Sequence, residues 1–303
     1  MANQIEKKSR WRRWLLLGVI GVLLVVAGGF GWSYWRSYKV LNKTHDVTVE
    51  SIEIPDARDY GRYLAKHVLG CADCHGDDMG GKLMYDNGAM GVAYSPNITR
   101  GKGTVVDGYT VDDWVRSIRH GVARDGRGLL LMPSEDYDQL PRYELGALIS
   151  YLQAAPPVDR ASRKTTAGPI MRMLLASGKV QLANAKVEIP ETWPEADRGP
   201  TPGWGRVMIS LCTRCHGQDL TGGPIPGGKR DWPPATDITW HKGGIASWTY
   251  EAFVKAMKEG KTPDGRELRD PMPWPVYAGL EDVDLRAMWA YLQTASGEPE
   301  NAP

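Results

Sequence analysis

All four cysteines of this chain fall in two copies of one pattern, Cys71-Ala-Asp-Cys74-His75 and Cys212-Thr-Arg-Cys215-His216. Two thiols on one helical turn can add to the two vinyl groups of a porphyrin, and the histidine that follows is then held beneath the iron as its proximal ligand. The pattern therefore reads as two covalently attached c-type haems. Two other chemistries use paired cysteines. A zinc site wants four ligands assembled together, and a thioredoxin-like C-x-x-C has no need of the next histidine. Neither accounts for two C-x-x-C-H copies that consume every cysteine.

The second iron ligand follows from an internal repeat with a period near 140 residues. Cys71 and Cys212 are 141 apart, Asn97-Ile98-Thr99 and Asp237-Ile238-Thr239 are 140 apart, and Asp125-Gly126-Arg127 and Asp264-Gly265-Arg266 are 139 apart. Met132-Pro133 matches Met272-Pro273, and Tyr151-Leu152-Gln153 matches Tyr291-Leu292-Gln293, both at 140. Met132 lies 57 residues after His75, and Met272 lies 56 after His216. Each precedes a proline that stiffens its loop. These two methionines are the expected distal ligands. Met79, Met84 and Met90 fit worse, because the repeat sets Leu220, Ile225 and Asp231 opposite them. His45, His67, His120 and His241 have no histidine partner in the other copy and read as core or surface residues.

These groups need helices to carry them. Val111, Trp114, Val115 and Ile118 follow the i, i+3, i+4, i+7 spacing of a buried helical face, and Tyr250, Phe253, Val254 and Met257 repeat it. Gly121 and Gly260 stand where those helices should close. A final helix in each copy carries Leu145, Leu148, Ile149 and Leu152, or Leu285, Met288, Trp289 and Leu292. With 35 glycines, 21 prolines and no sustained strand alternation, the expectation is all-α: two small helical domains over residues 56–155 and 204–296. The connector 156–203 is too long for an idle loop and is expected to pack across the domains. Its middle, Ile170–Leu175, reads either as a short helix at their interface or as a surface helix.

Ahead of the first copy, an uncharged stretch runs from Trp14 to Trp35. At the helical rise its 22 residues span about 33 Å, against about 30 Å of bilayer hydrocarbon. A head of residues 1–13 carries five cations against Glu6, which sets the N-terminus in the cytoplasm and the haem-bearing part on the periplasmic side of the cytoplasmic membrane. Phe30, Trp32, Tyr34, Trp35 and Tyr38 suit the exit interface. Large aromatics where a cleavage site wants small residues favour an uncleaved single-span anchor over a signal peptide. Residues 36–55 read as a stalk and 297–303 as a tail. Overall, 37 Lys and Arg balance 36 Asp and Glu, so no basic field points to nucleic acid.

Each unit resembles a class I cytochrome c domain. The run from Asn97 through Trp114 and Asp125-Gly126-Arg127 to Met132-Pro133, with its second copy, is similar to the cytochrome c subunits of membrane-bound alcohol and gluconate dehydrogenases. Those subunits commonly carry three haems, whereas this chain has two motifs and an N-terminal anchor. A Met/His pair fills both axial positions of each iron, which suits an electron carrier rather than an enzyme. The competing expectation is a di-haem peroxidase or a thiosulfate-oxidising protein, which would need an open or unusually ligated iron. A dehydrogenase, a quinol-oxidising complex, a terminal oxidase and a photosynthetic reaction centre all remain compatible redox partners.

Overall fold

The computed structural model describes residues 2–183, 192–225 and 231–295. It opens with one long helix, α1 (Ala2–Leu41), whose stretch Arg13–Leu41 has a mean hydropathy of 2.3 and is long and apolar enough to cross a membrane. Its apolar side chains stand exposed on every side. Only Ser33 and Ser37, one turn apart, are buried in this part of α1.

The first haem motif sits among α2 (Arg58–Tyr63), a π-helical turn (Leu64–Val68), α3 (Cys71–His75), α4 (Val111–Arg119), α5 (Ser134–Tyr137) and α6 (Arg142–Ala154). After α7 (Pro169–Ala176), the order repeats as α8 (Pro202–Ser210), α9 (Thr213–His216), α10 (Tyr250–Glu259), α11 (Trp274–Tyr277) and α12 (Asp282–Leu292). The start of each ligand-loop helix is set locally. Thr110 accepts from the Asp113 amide while the Asp113 carboxylate accepts from the Thr110 amide, and Thr249 accepts from the Ala252 amide. At the far ends Gly121 (φ +65°) and Gly260 (φ +67°) take the left-handed conformation that stops a helix.

In each half the first and last helices cross where one glycine admits a backbone. A Cβ on Gly61 would lie 1.9 Å from the Ala147 carbonyl oxygen, and one on Gly205 would lie 2.0 Å from that of Ala287. Around these crossings, buried apolar residues from both halves form one contiguous cluster, including Leu64, Leu148, Trp204 and Leu285. The halves are also joined by a buried carboxylate. Asp284, with no exposed surface, accepts from Tyr63 Oη (2.5 Å), Trp204 Nε1 (2.7 Å) and both Nε and Nη2 of Arg198 (3.1 and 2.5 Å). Arg198 in turn stacks over Tyr60 and Tyr63.

Three expectations change here. The fold is mostly helical rather than all-α. A small antiparallel sheet joins β1 (Leu83–Asn87), β2 (Gly91–Tyr94) and β3 (Thr166–Ala167) in that order. It leaves no alternation in the sequence because β1 is exposed throughout and the other strands have four and two residues. The segment read as a stalk is no free tether. Residues 36–41 continue α1, Thr44 bridges Arg127, and Val47, Val49, Ile52 and Ile54 pack on the first half. The connector helix does form, over Pro169–Ala176, but it lies on α1 rather than between the halves. Arg36 Nε donates to the Ala176 carbonyl (2.7 Å) and Arg172 to Ser37 Oγ (3.1 Å). Packing across the halves falls instead to the connector's end, at Arg198.

Candidate haem sites

Each C-x-x-C-H motif is a single helical turn closed by a glycine, Gly76 (φ +80°) or Gly217 (φ +81°). Returning chain then closes over the histidine. Gly81 N donates to the His75 carbonyl and Gly222 N to that of His216, both at 2.8 Å. A Cβ on Gly81 would meet Ser95 O at 2.5 Å, and one on Gly222 would meet Ala235 O at 2.3 Å. Only glycine allows strands this close.

The closed loops decide the state of the two imidazoles. His75 Nδ1 lies 2.9 Å from the Pro96 carbonyl oxygen, and His216 Nδ1 lies 2.7 Å from that of Thr236. A carbonyl only accepts, so Nδ1 carries the proton and Nε2 keeps its lone pair. Burial holds both histidines below the ordinary imidazole range. Each is thus a neutral, oriented donor with one free nitrogen, which is the form an axial iron ligand must take. The N-I-T and D-I-T repeats brace the same loops. Asn97 Oδ1 and Asp237 Oδ1 each accept from the amide and hydroxyl of the threonine two residues on.

The thiols fit covalent attachment better than exchange. Cys71, Cys74, Cys212 and Cys215 are not joined to one another, and burial pushes Cys71 and Cys212 up to about 12. A redox C-x-x-C needs a thiolate at neutral pH, and these environments oppose one. Among the described residues, no three His, Cys, Asp or Glu side chains converge as a metal-ligand cluster. A cleft of about 1310 Å³ does open elsewhere, between Tyr60, Tyr143, Trp193 and Arg198, but none of the motif residues lines it.

Met132 and Met272 occupy equivalent corners. Both are half-buried against the core, and the proline after each starts a short helix, α5 or α11. The arm that carries each methionine is built alike. Leu129 N donates to Gly121 O and Leu268 N to Gly260 O, while Asp125-Gly126-Arg127 and Asp264-Gly265-Arg266 form the tight turns between. Gly121 then packs on Ser134 and Gly260 on the Trp274 ring, so each arm folds back over its own helix. Met79 and Leu220 instead share a buried, left-handed backbone position (φ +57° and +62°), beneath the loops that return to the histidines. Of the unassigned histidines, His120 is buried with its Nδ1 unpartnered, His67 faces the Val276 carbonyl, and His241 pairs with Asp237.

Two features escaped the sequence reading. The carbonyls of Pro96 and Thr236 are backbone groups with no side-chain signature. Their only signal is a place one residue before each N/D-I-T repeat. The other is Arg214, inside the second motif, which reaches across to Glu135 (3.2 Å) and Asp136 (2.8 Å) just after Met132-Pro133. This pair ties the second attachment helix to the first methionine arm. Burial pushes Asp136 up to about 6 against the pull of Arg214.

Residues 206–296 match the family described as cytochrome c. Over 267 residues the chain is 27% identical to the fructose dehydrogenase cytochrome subunit of Gluconobacter japonicus, covering 80% of this chain and 53% of that one. It is 27% identical to a diheme cytochrome c-type protein of Cereibacter sphaeroides, covering 74% and 81%. The gluconate 2-dehydrogenase cytochrome c subunit of Pantoea cypripedii is 30% identical over 52% of this chain and 37% of its own. The chain thus spans about half the length of the fructose dehydrogenase subunit. It carries a cytochrome c domain, and its relatives are named as electron-transfer subunits of dehydrogenases or as a diheme cytochrome.

Proposed function

We propose that this chain is a membrane-anchored, two-haem electron carrier of the periplasmic side. In this reading residues 56–155 and 204–296 are tandem class I cytochrome c domains, and α1 is a single-pass anchor. The observation that carries the proposal is the duplicated ligand set: a neutral histidine with Nε2 free, and a methionine arm at the same remove in each half.

The haem supplies one-electron iron chemistry when bound, and the chain's own residues prepare its surroundings. Cys71, Cys74, Cys212 and Cys215 hold the porphyrin covalently. The Pro96 and Thr236 carbonyls fix the ring planes and tautomers of His75 and His216. Met132 and Met272 cap the opposite faces and leave no position for a substrate, which favours single-electron transfer over peroxidase-type turnover. The Arg214 clasp on Glu135 and Asp136 keeps the two attachment regions together, so that electrons pass within one chain. By the names of the relatives, the donor is a dehydrogenase, and the acceptor is a higher-potential carrier or oxidase.

The test is the haem content of the purified full chain after acid–acetone extraction. Two covalent haems per chain are expected, and one or none would overturn the reading. Membranes washed in high salt should retain the protein, with the haem units reached by protease only from the periplasmic side. Release by salt, or access from the cytoplasm, would overturn the anchor or its orientation.

A further inference from the structure

We propose that α7 is a membrane-surface helix, with Ile170 and Met173 immersed at the headgroup–acyl boundary beside the exit of α1. The inference rests on reading α1 as a membrane span, and it adds a second contact with lipid. The first argument is depth. The hydrocarbon of a bilayer is crossed by about 20 helical residues, and the uncharged run of α1 ends at Trp35. The two small residues on which α7 packs, Ser33 and Ser37, straddle that end. A helix seated there lies at the boundary between acyl chains and headgroups.

The second argument is the character of its surface. Leu175 and Ala176 are buried, while Ile170 and Met173, one turn apart on another side of α7, are 47% and 53% exposed. An apolar side chain half in solvent at this depth is an apolar side chain facing lipid. Around it stand the groups that favour an interface. Arg172 lies over Tyr34, Arg36 over Trp32 and Lys39 over Trp35, each cation on the face of an exposed ring. The basic rim matches anionic lipid headgroups.

The third argument is what the contact would hold. α7 follows β3 directly, β3 pairs with β2, and β2 ends two residues before Pro96, whose carbonyl orients His75. The hairpin tip is tied to α7 as well, through Gly168 N to Met90 O (2.9 Å) and Ile170 N to Ala89 O (3.0 Å). A continuous hydrogen-bonded path therefore runs from the bilayer surface to the first proximal histidine. Lipid contact at α7 would fix the height and tilt of that haem unit.

The test uses the full, haem-loaded chain, in which every native cysteine is consumed by haem. Met173→Cys, Val25→Cys and Lys255→Cys are each labelled with a nitroxide and placed in bilayer discs of phosphatidylcholine and phosphatidylglycerol. Collision with dissolved oxygen is compared with collision with a water-soluble nickel chelate. The position 25 label should favour oxygen strongly, the position 255 label should favour nickel, and the position 173 label should favour oxygen with a shallower depth than position 25. If position 25 is deep but position 173 matches position 255, the docking proposal is wrong and the anchor stands. If position 25 reads as aqueous, the anchor and the proposal fail together. A position 173 label shielded from both reagents would mean that protein covers α7, which also overturns lipid as its occupant. Ile170→Cys provides the same reading should Met173→Cys lose haem.

Discussion

Replacing Gly205 by alanine should damage the second haem unit far more than one methyl group ordinarily would. The new Cβ would stand 2.0 Å from the Ala287 carbonyl oxygen and 2.7 Å from the Tyr291 Cβ, and both neighbours belong to the backbone or base of α12. Neither can turn aside, so α8 and α12 must separate by about 1 Å to restore contact. That gap opens along a seam lined by Trp204, Met208, Leu285 and Met288. Overpacking of a filled core costs about 1–3 kcal/mol, and the loosened seam adds to that, so we expect about 3 kcal/mol in all. Against a domain stability of about 5–15 kcal/mol this is a large fraction. The assay is thermal unfolding of the haem-loaded chain followed by circular dichroism in the Soret region. Gly205→Ala should lower the melting temperature of one half of the signal, and Gly61→Ala the other. Melting unchanged within about 0.5 kcal/mol in both variants would refute the crossing as drawn.

Three further outcomes are expected. His120 is buried beside Arg116 and Arg119, and burial with those cations pushes it down to about 4, so the unfolded chain binds the extra proton between pH 6.5 and 4. Stability should therefore fall on acidification through that window, by at most about 3 kcal/mol, and His120→Asn should flatten melting temperature against pH there. Asp284→Ala strips four donors of their shared acceptor and leaves Arg198 without its buried partner, at a cost of about 3–5 kcal/mol, read by denaturant unfolding; Asp284→Asn should cost less. Asp136 gains its charge as pH rises through about 6, and the added negative charge stabilises ferric iron. Midpoint potentials should thus decline across that range, and Asp136→Asn should remove that part of the slope in a spectroelectrochemical titration.

Much of the site was legible because its chemistry is carried by residue types at fixed spacing. Cys71, Cys74 and His75, with their second copy, need no tertiary structure to be recognised, and the 140-residue period paired Met132 with Met272 before any arm was seen. What could not be read was carried by backbone or by contacts between halves. The Pro96 and Thr236 carbonyls have no side-chain code, and Gly61 and Gly205 look like any other glycines among 35. β1–β3 are too short and too exposed to leave a periodic trace. The seat of α7 was missed because Ser33 and Ser37 lie at the end of an apolar run, where small polar residues pass for interruptions rather than a packing face.

The most direct measurement is the near-infrared spectrum of the oxidised protein, compared across wild type, Met132→Ala and Met272→Ala. With sulfur on both irons, wild type should show the weak sulfur-to-iron charge-transfer band at an intensity set by two haems. Each variant should lose half of it, bind carbon monoxide at one reduced haem and keep both haems covalently attached. A wild-type protein with one high-spin haem, or a band that neither substitution alters, would contradict the two-carrier account.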